Sequence, residues 1–242
     1  MVPPHAGRRR ALSALLLAAG LAAGCAGGRV EAARTLPGDA SVPLLYVALG
    51  DSTVEGIGAT SAATTYVGQL HRRLRAIYPE ARVVNLGVGG ATSADVLARQ
   101  LERAVALGPQ LVTLSVGPND ITTHVPLAQY ERNVTTILDR LVTGTPAVVV
   151  VNLLPDLVVT PRFRNHEAKP AISTLTVAFN EALERQGRRH GAELVDLYHP
   201  SREEVPAQPE LIWRDGYHPS DAGYARWAEL MWAGIEARIA SR

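Results

Sequence analysis

The sequence predicts an α/β fold, a three-layer sandwich in which a five-stranded, mostly parallel sheet lies between two layers of helices. Three observations predict it. Short apolar runs of strand length alternate five times with longer stretches of helical periodicity. The central apolar runs are continuous rather than alternating, as expected when helices cover both faces of a parallel sheet. Neither a solenoid repeat nor a second domain boundary interrupts the pattern. With 47% hydrophobic and 19% charged residues in 242, the chain carries enough apolar material for a sizeable core, so disorder is not the default.

In chain order, the N-terminus reads as an export signal. Arg8, Arg9 and Arg10 form a positive region, and residues 11–24 are an apolar stretch interrupted only by Ser13, too short to span a bilayer, which needs roughly 20 residues. Leu21-Ala22-Ala23-Gly24-Cys25 resembles a bacterial lipoprotein processing site, with Cys25 as the lipidated first residue, although the leucine stands one position earlier than usual. Ordinary cleavage near Ala26 is the alternative. As the single cysteine, Cys25 can form no internal disulfide. Residues 25–42, rich in Gly, Ala, Arg and Pro, read as a tether, and the folded domain is expected over 43–242.

The strand runs are 44–49, 82–86, 111–116, 147–154 and 193–197. Between and after them, spacings of three and four link Tyr66, Leu70, Leu74 and Ile77, then Leu97 and Leu101 with Val96 beside them, then Tyr130, Val134, Ile137 and Leu141. The same spacing joins Ile172, Leu175, Phe179 and Leu183, and last Tyr224, Trp227, Met231 and Ile235. Ser93 and Ser220 stand where helix N-caps are needed.

In open α/β sheets a ligand sits beyond the carboxyl ends of the strands. After the first strand comes Gly50-Asp51-Ser52-Thr53, a tight exit followed by a hydroxyl. After the second comes Asn85-Leu86-Gly87-Val88-Gly89-Gly90-Ala91-Thr92-Ser93, whose glycines let backbone N–H groups approach a ligand. After the third, Gly117-Pro118-Asn119-Asp120 supplies a side-chain amide, and beyond the fifth, Asp215-Gly216-Tyr217-His218-Pro219-Ser220 supplies a carboxylate and an imidazole. A nucleophile, hydrogen-bond donors and an acid–base pair on one rim are the parts that acyl transfer from a serine requires.

The order Gly-Asp-Ser, a glycine-rich turn, Gly-x-Asn-Asp and Asp-x-x-His-Pro resembles the SGNH/GDSL hydrolase family over essentially all of residues 44–240. Each motif is short; four in order beyond predicted strands are specific. The resemblance implies a flavodoxin-like SGNH hydrolase fold and a serine esterase, lipase or acylhydrolase working through an acyl-enzyme with no cofactor and no metal. By it, Ser52 is the nucleophile, His218 the general base and acid, and Asp215 its partner. The N–H groups of Ser52 and Gly90 and the amide of Asn119 form the oxyanion hole. Gly90 is taken over its neighbour Gly89 because the family's glycine lies five residues after the asparagine that is here Asn85. Thr53 stands where the family often has leucine. Substrates of the family range over simple esters, lipids, acyl thioesters and O-acetylated sugars, and an exported enzyme points to extracellular esters.

Other readings are weaker. Asp196-Leu197-Tyr198-His199-Pro200-Ser201 copies the Asp215 motif, but it leads into residues 202–209, which read as loop, whereas the second copy leads into the last amphipathic helix. No Gly-x-Gly-x-x-Gly follows the first strand, which argues against a flavodoxin-like cofactor binder. An intact Ser52, Asp215 and His218 argue against a silent carbohydrate-binding lipoprotein. His71, His124, His166 and His190 show no metal-ligand spacing. Asn133-Val134-Thr135 fits a glycosylation sequon but lies on a predicted helix. Trp227 and Trp232 read as packing residues, and the polar stretch 155–170 as lining of the entrance. Without residues 1–24 the chain holds 21 basic and 23 acidic residues, net −2, so nothing draws it to nucleic acid. Its partners are expected to be a small-molecule, lipid or acylated-carbohydrate ester, and a membrane only through a lipid anchor at Cys25. The sequence does not set the oligomeric state.

Overall fold

The computed structural model describes Met1 and residues 34–240. β1 (Leu45–Gly50) leads through a short α1 (Ser52–Glu55) to α2 (Tyr66–Ile77). β2 (Arg82–Asn85) is followed by a helix in three parts: α3 (Ser93–Asp95), a π-helical turn (Val96–Gln100) and α4 (Leu101–Ala106). β3 (Leu111–Ser115) precedes α5 (Pro118–Thr122) and α6 (Leu127–Gly144). β4 (Val148–Asn152) precedes a 3₁₀ turn (Leu157–Val159) and α7 (Lys169–Arg189). β5 (Glu193–Val195) precedes α8 (Tyr198–Ala207), a second 3₁₀ turn (Pro209–Leu211) and α9 (Asp221–Glu236).

The five strands pair in parallel in the order β2-β1-β3-β4-β5, with Tyr46 opposite Val83 and Leu111, and Leu111 opposite Val148. Side chains alternate across a strand. Val47, Leu49, Val112, Leu114, Val149 and Val151 therefore face one core, shared with Val134 and Leu138 of α6 and Phe179 of α7. Tyr46, Ala48, Leu111, Val148 and Val150 face the other, shared with Tyr66 and Leu70 of α2 and Trp227 and Met231 of α9. Two buried faces explain why the strand runs are continuously apolar. Burial of each valine, leucine, phenylalanine or methionine among them is worth about 1.5–3 kcal/mol. The strand order reverses between β1 and β3, which puts the switch point, where ligands bind in such sheets, between the turns after those two strands.

Several local expectations are corrected. Residues 34–42 are not tether throughout. The Arg34 guanidinium donates to the carbonyls of Val142, Thr145 and Ala147, and buried Leu36 exchanges backbone hydrogen bonds with Arg238 and Ala240. The domain thus starts ahead of residue 43. The fourth strand ends early: Leu154 donates its N–H to Asn180 Oδ1 of α7 and its carbonyl accepts from Asn180 Nδ2, instead of joining the sheet ladder. Thr92, not Ser93, caps α3, in a reciprocal capping box with Asp95, while Ser220 does cap α9. Residues 202–209, expected as loop, lie largely in α8. Pro200 in its first turn costs no intrahelical bond, and Pro206 falls near its end. The signal segment and Cys25 lie outside the described residues.

Candidate active site

β1 ends at Gly50, where φ is 147° and a Cβ would stand 1.9 Å from the Ser115 carbonyl oxygen, so no other residue fits. The Gln100 side chain grips both polar groups of Gly50, accepting from its N–H at 2.9 Å and donating to its C=O at 2.8 Å. Gln100 is buried at the end of the π-helical turn, a feature that often marks functional sites. Asp51 follows; its carboxylate accepts from the Thr53 N–H at 2.9 Å and the Thr53 hydroxyl at 2.8 Å, capping α1. This fixes Ser52 as the first residue of α1, at the rim beyond β1.

His218 reaches Ser52 from the far end of the chain. Its Nε2 lies 2.9 Å from Ser52 Oγ, and its Nδ1 lies 2.5 Å from Asp215 Oδ2. The other oxygen of Asp215 accepts the N–H groups of Tyr217 and His218 at 2.9 and 3.0 Å. Nδ1 facing a carboxylate must carry the proton, which leaves the lone pair of Nε2 for the serine hydroxyl. Burial acts to raise the Asp215 pKa, but the hydrogen bond with His218 and the two backbone donors outweigh it, so the carboxyl sits below its usual range. The loop is held by Trp213 N–H donating to the His218 carbonyl at 2.8 Å and by Arg162 N–H donating to that of Gly216 at 2.9 Å.

The glycine-rich turn after β2 distinguishes its two adjacent glycines. Gly89 donates its N–H to the Glu55 carboxylate at 2.5 Å, whereas Gly90, at φ 78°, has no acceptor for its N–H among the described residues. Asn119, in the first turn of α5, donates from Nδ2 to the Ala91 carbonyl at 3.0 Å, which ties the two loops together and leaves a second amide hydrogen. Behind them, buried Asp120 accepts from the Ser93 N–H and hydroxyl, and Asn133 of α6 donates to that hydroxyl at 2.9 Å. Burial raises the Asp120 pKa despite these donors. The sequon asparagine is thus buried inside this network.

Asp51 is 1% exposed, and burial pushes its pKa up to about 6 against the Thr53 hydrogen bonds and the nearby His218. Beside the pair, an apolar cavity of about 100 Å³ is lined by His218, Thr53, Pro118, Leu157, Leu197 and Trp227. Pro155, Asp156 and Thr160 also line it, so the stretch 155–170 contributes to its wall.

The structure brings Ser52, Asp215 and His218 together, and sets Gly90 and Asn119 on the adjoining turns after β2 and β3. It does not bring in Asp196 and His199, which pair with each other at 2.7 Å on the exposed start of α8. Trp227 stacks on Tyr66 at 5.6 Å, and Trp232 carries Arg73 over its ring. His71 and His190 bond to backbone carbonyls, and among the described residues no three metal-ligating side chains cluster. Sequence reasoning assigned no role to Asp51, Asp120 or Gln100. The first two stand inside motifs already quoted; Gln100 gave no signal, because only the π-turn aims it at Gly50.

A model of the GDSL-like Lipase/Acylhydrolase family matches residues 48–226. An acetylxylan esterase from Geobacillus stearothermophilus is 30% identical over 190 residues, covering 72% of this chain and 83% of that protein. Among solved structures, LAE5, an alpha/beta hydrolase enzyme from the metagenome of Lake Arreo, Spain, superposes with a TM-score of 0.66 at 22% identity, over 84% of this chain and all of its own. TesA does so with a TM-score of 0.65 at 26% identity, over 82% of this chain and all of its own.

Proposed function

This chain belongs to the GDSL-like lipase/acylhydrolase family and is a carboxylic-ester hydrolase, and on that premise we propose that it works through an acyl-enzyme on Ser52, removing short acyl groups from acylated carbohydrate outside the cytoplasm. The observation that carries the mechanism is the line Ser52 Oγ, His218 Nε2 and Nδ1, Asp215 Oδ2, with separations of 2.9 and 2.5 Å. Ser52 Oγ attacks the carbonyl carbon as its proton passes to His218 Nε2. Asp215, ionised, stabilises the imidazolium and holds the tautomer. The imidazolium then protonates the departing alcohol, and a water activated by the same imidazole hydrolyses the acyl-serine.

The N–H groups of Ser52 and Gly90 and the free amide hydrogen of Asn119 receive the oxyanion. One such donor is typically worth 10²–10³ in rate, about 3–4 kcal/mol. The small apolar cavity at His218 and Thr53 supports a short acyl group, and the acetylxylan esterase relative supports an acetylated saccharide. Residues 1–25 support export and lipidation of Cys25; no helix of the described residues is long and apolar enough to cross a membrane.

Hydrolysis of p-nitrophenyl acetate, butyrate and octanoate, and of acetylated xylan, tests the reading. Rates should fall with chain length, and Ser52→Ala should remove at least about 10³-fold of kcat. Undiminished turnover by Ser52→Ala would end the acyl-enzyme proposal. The mass of the mature N-terminal peptide from membranes decides whether Cys25 carries lipid.

A further inference from the structure

We propose that a second, cationic groove beside the esterase site binds a carboxylate carried on the alcohol portion of the substrate, so that the preferred esters are those of acidic saccharides. The proposal rests on the esterase reading above. The groove encloses about 490 Å³, and its lining joins Val158, Val159 and Pro161 to Arg164, Lys169 and Arg202. It adjoins the apolar cavity at His218: Asp156, Val205 and Ile212 line both. Its wall is also bonded to the catalytic loop. Arg162, next to Pro161, donates its N–H to the Gly216 carbonyl at 2.9 Å and lays its guanidinium over Tyr217 at 5.2 Å.

The charges in the groove do not cancel. The one carboxylate in its lining, Asp156, is buried, takes the Val158 N–H at 3.2 Å, and faces Arg202 at 3.4 Å. Arg202 also lies over the Tyr198 ring at 5.5 Å. Arg164 and Lys169, the chain's single lysine, have no carboxylate partner among the described residues and are exposed. Two open cations over a floor of valine and proline suit an organic anion better than a small inorganic one. A sugar acid covers the floor with ring C–H groups and offers its carboxylate to the planar fork of Arg164 and the ammonium of Lys169. An ester held this way presents its acyl group toward Ser52 while the acidic residue stays outside the cavity.

The test compares an acetylated xylo-oligosaccharide bearing a free uronic acid with the same compound as its uronate methyl ester, with p-nitrophenyl acetate as a reference lacking any saccharide. The expected result is a kcat/KM about tenfold higher for the free acid at low salt, expressed mainly in KM and fading toward equality near 0.5 M salt. Arg164→Gln/Lys169→Gln should abolish the preference and leave p-nitrophenyl acetate turnover unchanged. Equal kcat/KM for the matched pair, or a preference that survives in the double variant, would overturn the groove alone. Absence of p-nitrophenyl acetate hydrolysis in the wild-type protein would overturn the esterase reading and the groove with it. Binding of phosphatidylserine vesicles lost in the double variant, without any substrate preference in the wild type, would give the groove to lipid and overturn the proposal.

Discussion

Asp215–His218 and Asp196–His199 are one local structure used at two places. In each, Oδ1 of the aspartate accepts the N–H groups two and three residues on, at 2.9 and 3.0 Å in the first and 2.8 and 3.1 Å in the second. In each, Oδ2 meets the histidine Nδ1, at 2.5 and 2.7 Å, and the ring lies edge-on to the preceding tyrosine. The difference lies outside the motif. The His218 side chain is 14% exposed and its Nε2 meets Ser52, whereas that of His199 is 74% exposed and its Nε2 has no partner among the described residues. At both places Asp-x-x-His thus folds on itself and fixes the histidine tautomer. What would make one copy catalytic is the hydroxyl that β1 delivers opposite it.

Exchanging the two histidines for alanine separately breaks the comparison most sharply. If His218 is the base of Ser52, as proposed, His218→Ala should lower kcat on p-nitrophenyl acetate by at least about 10³-fold, and His199→Ala should change it less than about twofold. A comparable loss in both would mean that the exposed pair takes part in turnover, and the division drawn between them would fail.

The same contrast shows how much could be read from the chain. The three central strands were legible because burial on both faces leaves a continuous apolar run, while the edge strands β2 and β5 were legible from their short apolar stretches at the expected spacing. The first three loops were legible because each motif follows a strand, and the fourth because Asp215–Ser220 leads into the last helix. The choice of His218 over His199 was legible only through the amphipathic helix after Ser220. Position α8 was not legible: its three-to-four spacing carries almost no apolar residues, and its prolines resemble loop punctuation. Nor was the hold of Gln100 on Gly50, since a π-turn shifts the register by one residue, or the pairing of Arg34 and Leu36 with the domain, since a Gly- and Pro-rich segment shows no period. Thr53 reads as a departure from the family pattern; in the structure its hydroxyl satisfies buried Asp51, which a leucine could not do.

The two copies also differ in what the fold spends behind them, and pH exposes this. Asp51, beside the pair that meets Ser52, has its pKa pushed up by burial to about 6 from the usual 3.8. The folded protein thus keeps a proton that the unfolded chain has already lost, so this group makes stability fall as pH rises from about 4 to about 6, by up to about 3 kcal/mol, and stay lower above that. Asp51→Asn keeps an acceptor for Thr53 without the charge. Its urea midpoint should exceed that of the wild type at pH 8 and lose that advantage at pH 4. An equal offset at both pH values would show that Asp51 titrates alike in the folded and unfolded chain, and so that burial does not raise its pKa.

The smallest expected effect falls on the exposed copy and concerns folding rather than turnover. Asp196 Oδ1 takes the first two N–H groups of α8, which have no carbonyl to bond, so it starts that helix as an N-cap does. Asp196→Ala should cost about 1 kcal/mol, read as a lower urea midpoint, with kcat/KM on p-nitrophenyl acetate unchanged. Because Leu197, Ser201 and Val205 of this segment line the cavity at His218, the outcome separates two designs. If turnover holds while stability drops, α8 is a wall that tolerates fraying and the exposed motif is a helix start. If turnover drops more than about tenfold in a protein still folded, the second Asp–His pair is coupled to the first through that wall.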